Sequence, residues 1–156
     1  MYAMNRRQLL IAAVAVAIPL ALLLLYLQRQ QPIDWNSTAV QWYHYEAGLQ
    51  AAAAQDKNIV LIVYADWCPT CKQFSRMFHD PQVVDASDNV ILIRLDQDRD
   101  TQYLEQYSLD GDYVPRTYII DRNREIMTSP YRSSRYEFFL PPGNTEYLAN
   151  LLRELK

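Results

Sequence analysis

Several things are scarce in this chain of 156 residues, and each scarcity closes off a class of function. Glycine occurs three times, so no glycine-rich loop is present to cradle a phosphate. No internal repeat or low-complexity tract breaks the chain into modules. Basic residues are not in excess: 15 Lys and Arg stand against 18 Asp and Glu, for a net charge of −3. Arg6, Arg7 and Arg29 put +3 into residues 1–30, where no acid occurs, so the remainder carries about −6. That balance argues against nucleic acid or an anionic lipid surface as a direct partner. Histidine occurs only as His44 and His79, cysteine only as Cys68 and Cys71. A closed zinc site needs four ligands, so all of these would have to converge. His79 lies eight residues past Cys71, roughly 12 Å along a continuing helix, against a metal bond of about 2 Å.

Apolar residues, by contrast, are concentrated in one block. Leu9–Leu27 is nineteen residues, all apolar except Pro19 and the amphipathic Tyr26. As a helix it is about 28 Å long, close to the hydrocarbon thickness of a bilayer. Arg6 and Arg7 precede it without an acid, which keeps residues 1–8 cytoplasmic and sends the rest across. Asn5-Arg6-Arg7-Gln8-Leu9-Leu10 faintly resembles a twin-arginine export signal, although paired arginines are also the ordinary positive flank. A cleaved signal has a shorter apolar core and an A-x-A-like site. The exit here is Tyr26-Leu27-Gln28-Arg29-Gln30-Gln31-Pro32. The block therefore reads as an uncleaved single-pass anchor over 9–27, followed by a tether over 28–34. Residues 35–156 are of a usual size for one domain with its own core. The expected location is the inner membrane with the domain in the periplasm, and the lumen of the endoplasmic reticulum is the alternative.

The domain is organised around Ile59-Val60-Leu61-Ile62-Val63-Tyr64, which has no polar alternation and reads as a strand buried on both faces. It runs through Ala65-Asp66-Trp67 into Cys68-Pro69-Thr70-Cys71-Lys72. Pro69 suits the first position of a helix, since its missing N–H has no partner there in any case. Cys68 then sits at a helix N-terminus, where free N–H groups and the dipole favour a thiolate, and Lys72 adds positive charge. Its pKa is expected below about 7.5. Cys71 follows on the same helical face, within reach of a disulfide. A disulfide closing so short a loop stabilises by about 2 kcal/mol or less, which is poor use of the only two cysteines as a staple. A redox pair is the favoured reading over an inert local disulfide or a metal site.

Tyr-Ala-Asp-Trp-Cys-x-x-Cys-Lys resembles the active-site segment of the thioredoxin superfamily. Tyr113-Val114-Pro115-Arg116-Thr117-Tyr118-Ile119-Ile120-Asp121 occupies the place of that superfamily's cis-proline loop. Asp110-Gly111-Asp112-Tyr113-Val114-Pro115-Arg116 is similar to small single-domain thioredoxin-like proteins of the endoplasmic reticulum and their anterior-gradient relatives. Asp66-Trp67 and Asp80-Pro81-Gln82-Val83 resemble the C-terminal periplasmic domain of the reductase DsbD. The resemblance covers about residues 35–156 and implies a thioredoxin fold, a central mixed sheet flanked by helices, behind the transmembrane helix. In thioredoxin and the DsbD domain a buried aspartate stands six residues before the first cysteine; here that position is Ile62. The endoplasmic-reticulum relatives also have an apolar residue there.

The remaining elements follow from pattern. Trp35–Gln55 reads as an amphipathic helix capped at Ser37, with Val40, Tyr43, Ala47, Ala51 and Ala54 at helical spacing and Trp35 and Trp42 as packing anchors. Phe74, Met77 and Phe78 give the helix after Cys71 a buried stripe, and Asp80-Pro81 ends or kinks it. Val90–Leu95 is a strand. Asp96-Gln97-Asp98-Arg99-Asp100 mimics a calcium loop, but Thr101 and Tyr107 stand where glycine and glutamate are needed, so a solvated loop with Asp100 or Thr101 as cap is expected. Thr101–Tyr107 reads as a short helix, Thr117–Asp121 and Glu125–Thr128 as a hairpin, Ser129–Gly143 as a surface loop, and Asn144–Leu155 as a closing helix. Alternating strands and helices give the α/β class.

The resemblance also implies roles. Cys68, at an exposed helix end, would form a mixed disulfide with a protein substrate, and Cys71, one turn deeper, would resolve it. Trp67 would shield the pair, Thr70 would donate to the Cys68 thiolate, and Val114 with a cis Pro115 would border an extended substrate segment. Partners would be proteins with disulfides or thiols and a membrane or soluble redox partner, with no cofactor beyond the cysteine pair. The alternative function is a thioredoxin-like binding or chaperone module with little redox turnover.

Overall fold

The computed structural model describes residues 5–29, 31–127 and 135–156, which fall into two units, residues 1–32 and 33–156. In the first, helix α1 spans Arg6–Arg29. Asn5 and Gln8 cap it reciprocally, each side-chain oxygen accepting the other's backbone N–H at 3.0 and 3.1 Å. The segment Arg6–Leu27 is long and apolar enough to cross a membrane.

The second unit is built on a sheet in which five strands are ordered β1-β3-β2-β4-β5. These are β1 (Trp42–Tyr43), β2 (Ile59–Tyr64), β3 (Ile91–Asp96), β4 (Arg116–Ile120) and β5 (Ile126–Met127). β3 runs parallel to β1 and β2, whereas β4 is antiparallel to β2 and to β5. β2 is central and buried on both faces, as its unbroken apolar run requires. Val60 and Ile62 join the core under α3 (Pro69–Ser75), α4 (Pro81–Ser87) and α6 (Thr145–Glu154). Ile59, Leu61 and Val63 join the opposite core, beneath α2 (Tyr45–Gln55) and the aromatic rings of Tyr107, Tyr118 and Phe138.

The chain departs from expectation in two places. The helix expected from Trp35 begins only at Tyr45. Asn36 takes a left-handed conformation (φ 53°), which breaks the expected helix near its start. Trp42 and Tyr43 pair with Leu92 and Ile93 as an edge strand. The buried face of α2 is Gly48 and Ala52 rather than Ala47, Ala51 and Ala54. At Gly48 the helix comes so close to β3 that a Cβ would stand 2.4 Å from Ile93. Asp80-Pro81 follows the 3-10 turn Arg76–His79 that closes the active-site helix, and it starts α4: Pro81 is its first residue and the Asp80 carboxylate accepts the Gln82 N–H at 2.9 Å. The globular unit runs from Ile33, whose N–H donates to Asp66 at 3.0 Å. Second, Asp98 and Arg99 of the loop after β3 are exposed as expected, but the capping bond differs. The Asp100 carboxylate accepts the Asp96 N–H at 2.7 Å instead of capping α5 (Thr101–Leu104). The expected strand end Thr128 and residues 129–134 of the surface loop lie outside the described residues.

Candidate active site

β2 delivers the chain to Cys68, which is the N-cap of α3, with Pro69 in the first helical position. The Cys68 Sγ accepts the Cys71 N–H at 3.1 Å, filling the role that a serine or aspartate oxygen usually plays at a helix start. On its other side the thiol donates to the Val114 carbonyl at 3.5 Å. Both cysteines are free thiols. The Val114–Pro115 peptide bond is cis, and Pro115 is buried.

Cys68 is less open than its helix-end position suggested. Only 4% of it is exposed, and none of Cys71. Ala65 packs with the pair, and Ile33, Tyr64 and Val114 close around them. Two of these four come from chain segments remote from the cysteines, which is why a local reading of Cys68-Pro69-Thr70-Cys71 leaves the thiol exposed.

The hydrogen bonds divide the two thiols electrically. The Cys68 thiol is lowered from 9.0 to about 6, first by the hydrogen bond from Cys71. Burial opposes this, while the N–H groups of Cys71 and Thr70 and the charge of Lys72 reinforce it. Cys71 is pushed up, first by that same bond to Cys68 and then by burial. A thiol lowered in the folded state adds stability above its unfolded pKa and loses it as pH falls through the folded one. The reduced protein should therefore gain stability as pH rises from about 6 to about 9. Alkylation of Cys68 should show a midpoint near pH 6 in the parent, and a higher one in Cys71→Ala, which lacks the leading hydrogen bond. Denaturant midpoints across this pH range and iodoacetamide rates measure the two effects. A flat stability profile with an alkylation midpoint near 8.5 would show that the helix end does not act on this thiol.

The remaining expected residues are distributed around this core. Pro69 is exposed, and Thr70 and Lys72 are half-buried on the first turn of α3. Trp67 is 51% exposed, and its indole N–H donates to the Asp98 carboxylate at 2.8 Å. Ile62 lies fully buried in the apolar core. His79 is near Asp34, 3.5 Å away, and His44 stands at the start of α2. Among the described residues no group of three His, Cys, Asp or Glu is placed to hold a metal ion.

Sequence reasoning missed the support beneath Trp67. Asp66 is nearly buried, and its two oxygens accept the Ile33 N–H and the Arg99 guanidinium, the latter at 2.9 Å. Arg99 also reaches Asp96 at 3.2 Å, so one exposed cation joins two buried carboxylates. Burial pushes the Asp96 carboxyl up and, together with the charges of Asp96 and Asp66, raises the Tyr64 hydroxyl to about 12. Tyr64 thus stays protonated and forms a neutral wall of the thiol site. The available signal was topological: Tyr64 and Asp96 are register partners at the carboxyl ends of two parallel strands, where loops from adjacent strands meet.

A family model described as thioredoxin-like matches residues 41–122. The thiol:disulfide interchange protein DsbD of Pseudoalteromonas atlantica is 39% identical over 91 residues, which are 54% of this chain and 15% of that protein. Anterior gradient protein 2-B of Xenopus laevis is 26% identical over 118 residues, 74% of this chain and 66% of that protein. The chain thus spans only a small part of the DsbD relative. Among solved structures, the reduced C-terminal domain of Neisseria meningitidis DsbD superposes with a TM-score of 0.53 at 20% identity, covering 71% of this chain and 93% of that one.

Proposed function

Because this chain belongs to the thioredoxin-like family, we propose that it is a membrane-anchored thiol:disulfide oxidoreductase acting on proteins on the non-cytoplasmic side. The observation that carries the reading is the division of the two thiols: Cys68 is lowered to about 6 at a helix N-cap, and Cys71 is raised and fully buried behind it. At neutral pH this supplies one thiolate to attack and one thiol held in reserve.

In the reducing direction the Cys68 thiolate attacks one sulfur of a substrate disulfide. A Cys68–substrate disulfide forms, and the other substrate sulfur leaves as a thiolate. Cys71 then loses its proton and attacks the Cys68 Sγ. The Cys68–Cys71 disulfide forms, and the second substrate sulfur departs and takes up a proton. Two electrons have passed to the substrate, so the pair itself is the only redox group required. A membrane or soluble redox partner then reduces it again, and the reverse sequence oxidises a dithiol. Val114 and Pro115 border the reacting sulfur, Thr70 and Lys72 stabilise the thiolate, Pro69 starts the helix, and Trp67 flanks the pair.

The location rests on the N-terminal helix. Its apolar span follows Arg6 and Arg7, which favours a cytoplasmic N-terminus and a domain across the membrane. The bacterial DsbD relatives favour the inner membrane and periplasm over the endoplasmic-reticulum lumen.

The test is turnover of the full-length protein in detergent with dithiothreitol as reductant. The parent should reduce insulin disulfides, and Cys68→Ser should fall to the uncatalysed rate. Equal rates in the two would sink the enzyme reading and favour a binding module with idle cysteines.

A further inference from the structure

Arg116 stands directly after Val114–Pro115 and has no exposed surface. A guanidinium stays charged at any working pH, and a buried charge is costly unless paired. Among the described residues, however, no carboxylate lies within ion-pair distance of it. Backbone carbonyls accept its hydrogen bonds instead. Nε donates to the Tyr107 carbonyl at 2.8 Å and Nη1 to the Tyr113 carbonyl, with Gln97 Oε1 a further 3.4 Å acceptor. Nη2 is buried with no acceptor. The guanidinium also lies 5.8 Å from the centre of the Tyr113 ring.

Packing alone does not account for a cation here, because an apolar side chain of similar length fills such a space without the desolvation penalty. The carbonyls it holds do account for it. Tyr107 and Tyr113 flank the loop of residues 108–112, so one guanidinium ties both ends of that loop together. Tyr113 is bonded to Val114, whose carbonyl faces the Cys68 thiol at 3.5 Å. We propose that Arg116 is a positioning residue of the thiol site. By fixing the Tyr113 carbonyl it sets, one peptide unit further on, where the Val114 backbone stands relative to the Cys68 Sγ. A protein segment carrying a disulfide then meets a preformed edge, whereas a small disulfide that needs only the thiol gains nothing from it. This inference rests on the thiol-exchange reading above.

The test uses the full-length protein with Arg116→Lys, which keeps the charge but loses the fork, and Arg116→Met, which keeps only the volume. In both, KM for insulin should rise about tenfold, the size of one lost charged hydrogen bond, with kcat little changed. The rate of Cys68 with a small aromatic disulfide should stay within about twofold of the parent. Amide exchange over 108–114 should quicken about tenfold while residues 59–64 keep their protection. A folded Arg116→Lys variant with parental KM and parental exchange over the loop overturns the proposal. So does an equal fall in both disulfide rates in a variant whose residues 59–64 keep their protection, which marks an effect on the thiol itself and not on the substrate edge. If the parent itself reduces no protein disulfide, the functional reading fails instead, and the exchange measurement still decides whether Arg116 positions the loop.

Discussion

Replacing Cys71 with serine is expected to turn catalysis into capture. Cys68 keeps its helix N-cap position in that variant and still attacks a disulfide, but the group that releases the substrate is gone. Cys71, the proposed resolving thiol, sits in the first turn behind it, with its N–H 3.1 Å from the Cys68 Sγ. Held so close, it acts at an effective concentration that well-oriented intramolecular reactions carry to about 10⁵ M or more. External thiol at millimolar concentration replaces it poorly, so turnover should fall on the order of a thousandfold or more. Covalent complexes should accumulate and be visible on a non-reducing gel. They should vanish in the double variant Cys68→Ser/Cys71→Ser. Burial favours this assignment over the reverse, because Cys71 is fully buried and its thiol is held protonated by Cys68. Equal complex yields from Cys68→Ser would mean that either sulfur attacks, and the division of roles would fall.

The backbone setting of the cysteine pair was legible because it is local. Pro69 after Cys68 marks a helix start, and the structure has Cys68 as N-cap and Pro69 as first helical residue. The uniform apolar run of β2 requires burial on both faces, and Ile59 to Val63 are each at most 1% exposed. Phe74, Met77 and Phe78 fall on one stripe and are buried together. Leu148, Leu151, Leu152 and Leu155 behave likewise along α6.

What was hidden depends on contacts between distant segments. Asp98 and Arg99 look like solvated loop residues in sequence. They meet Trp67 and Asp66, more than thirty positions earlier, because β2 and β3 run side by side and end together. Trp35–Tyr43 was misread for a different reason. A two-residue edge strand is too short to show alternation, and the spacing of Val40, Tyr43, Ala47 and Ala51 matches a helix by coincidence. The depth of Cys68 was hidden in the same way, since Ile33 precedes it by 35 positions and Val114 follows it by 46.

Trp35 shows how much of the stability rests in a residue that belongs to no regular element. It is 1% exposed. Its ring meets those of Trp42 and Tyr64 edge-on at 5.3 and 5.2 Å, and those of Phe74 and Phe78 at 6.5 and 6.0 Å. The Arg94 guanidinium lies 5.7 Å from its centre. Trp35→Ala should therefore cost about 3–5 kcal/mol, a large share of the roughly 5–15 kcal/mol that holds a domain together. A urea titration should show this as a lower midpoint with an unchanged slope. Trp35→Phe measures how much of this a single ring supplies. The indole Nε1 is buried without an acceptor, so phenylalanine removes an unsatisfied donor while keeping an aromatic face toward Tyr64 and Phe74. Its cost should be smaller than that of alanine, about 1–3 kcal/mol, because one ring remains and the cavity left by the other is smaller. Equal destabilisation by alanine and phenylalanine would mean that the ring that phenylalanine keeps contributes nothing. In that event the edge-on ring contacts would not be what anchors this segment.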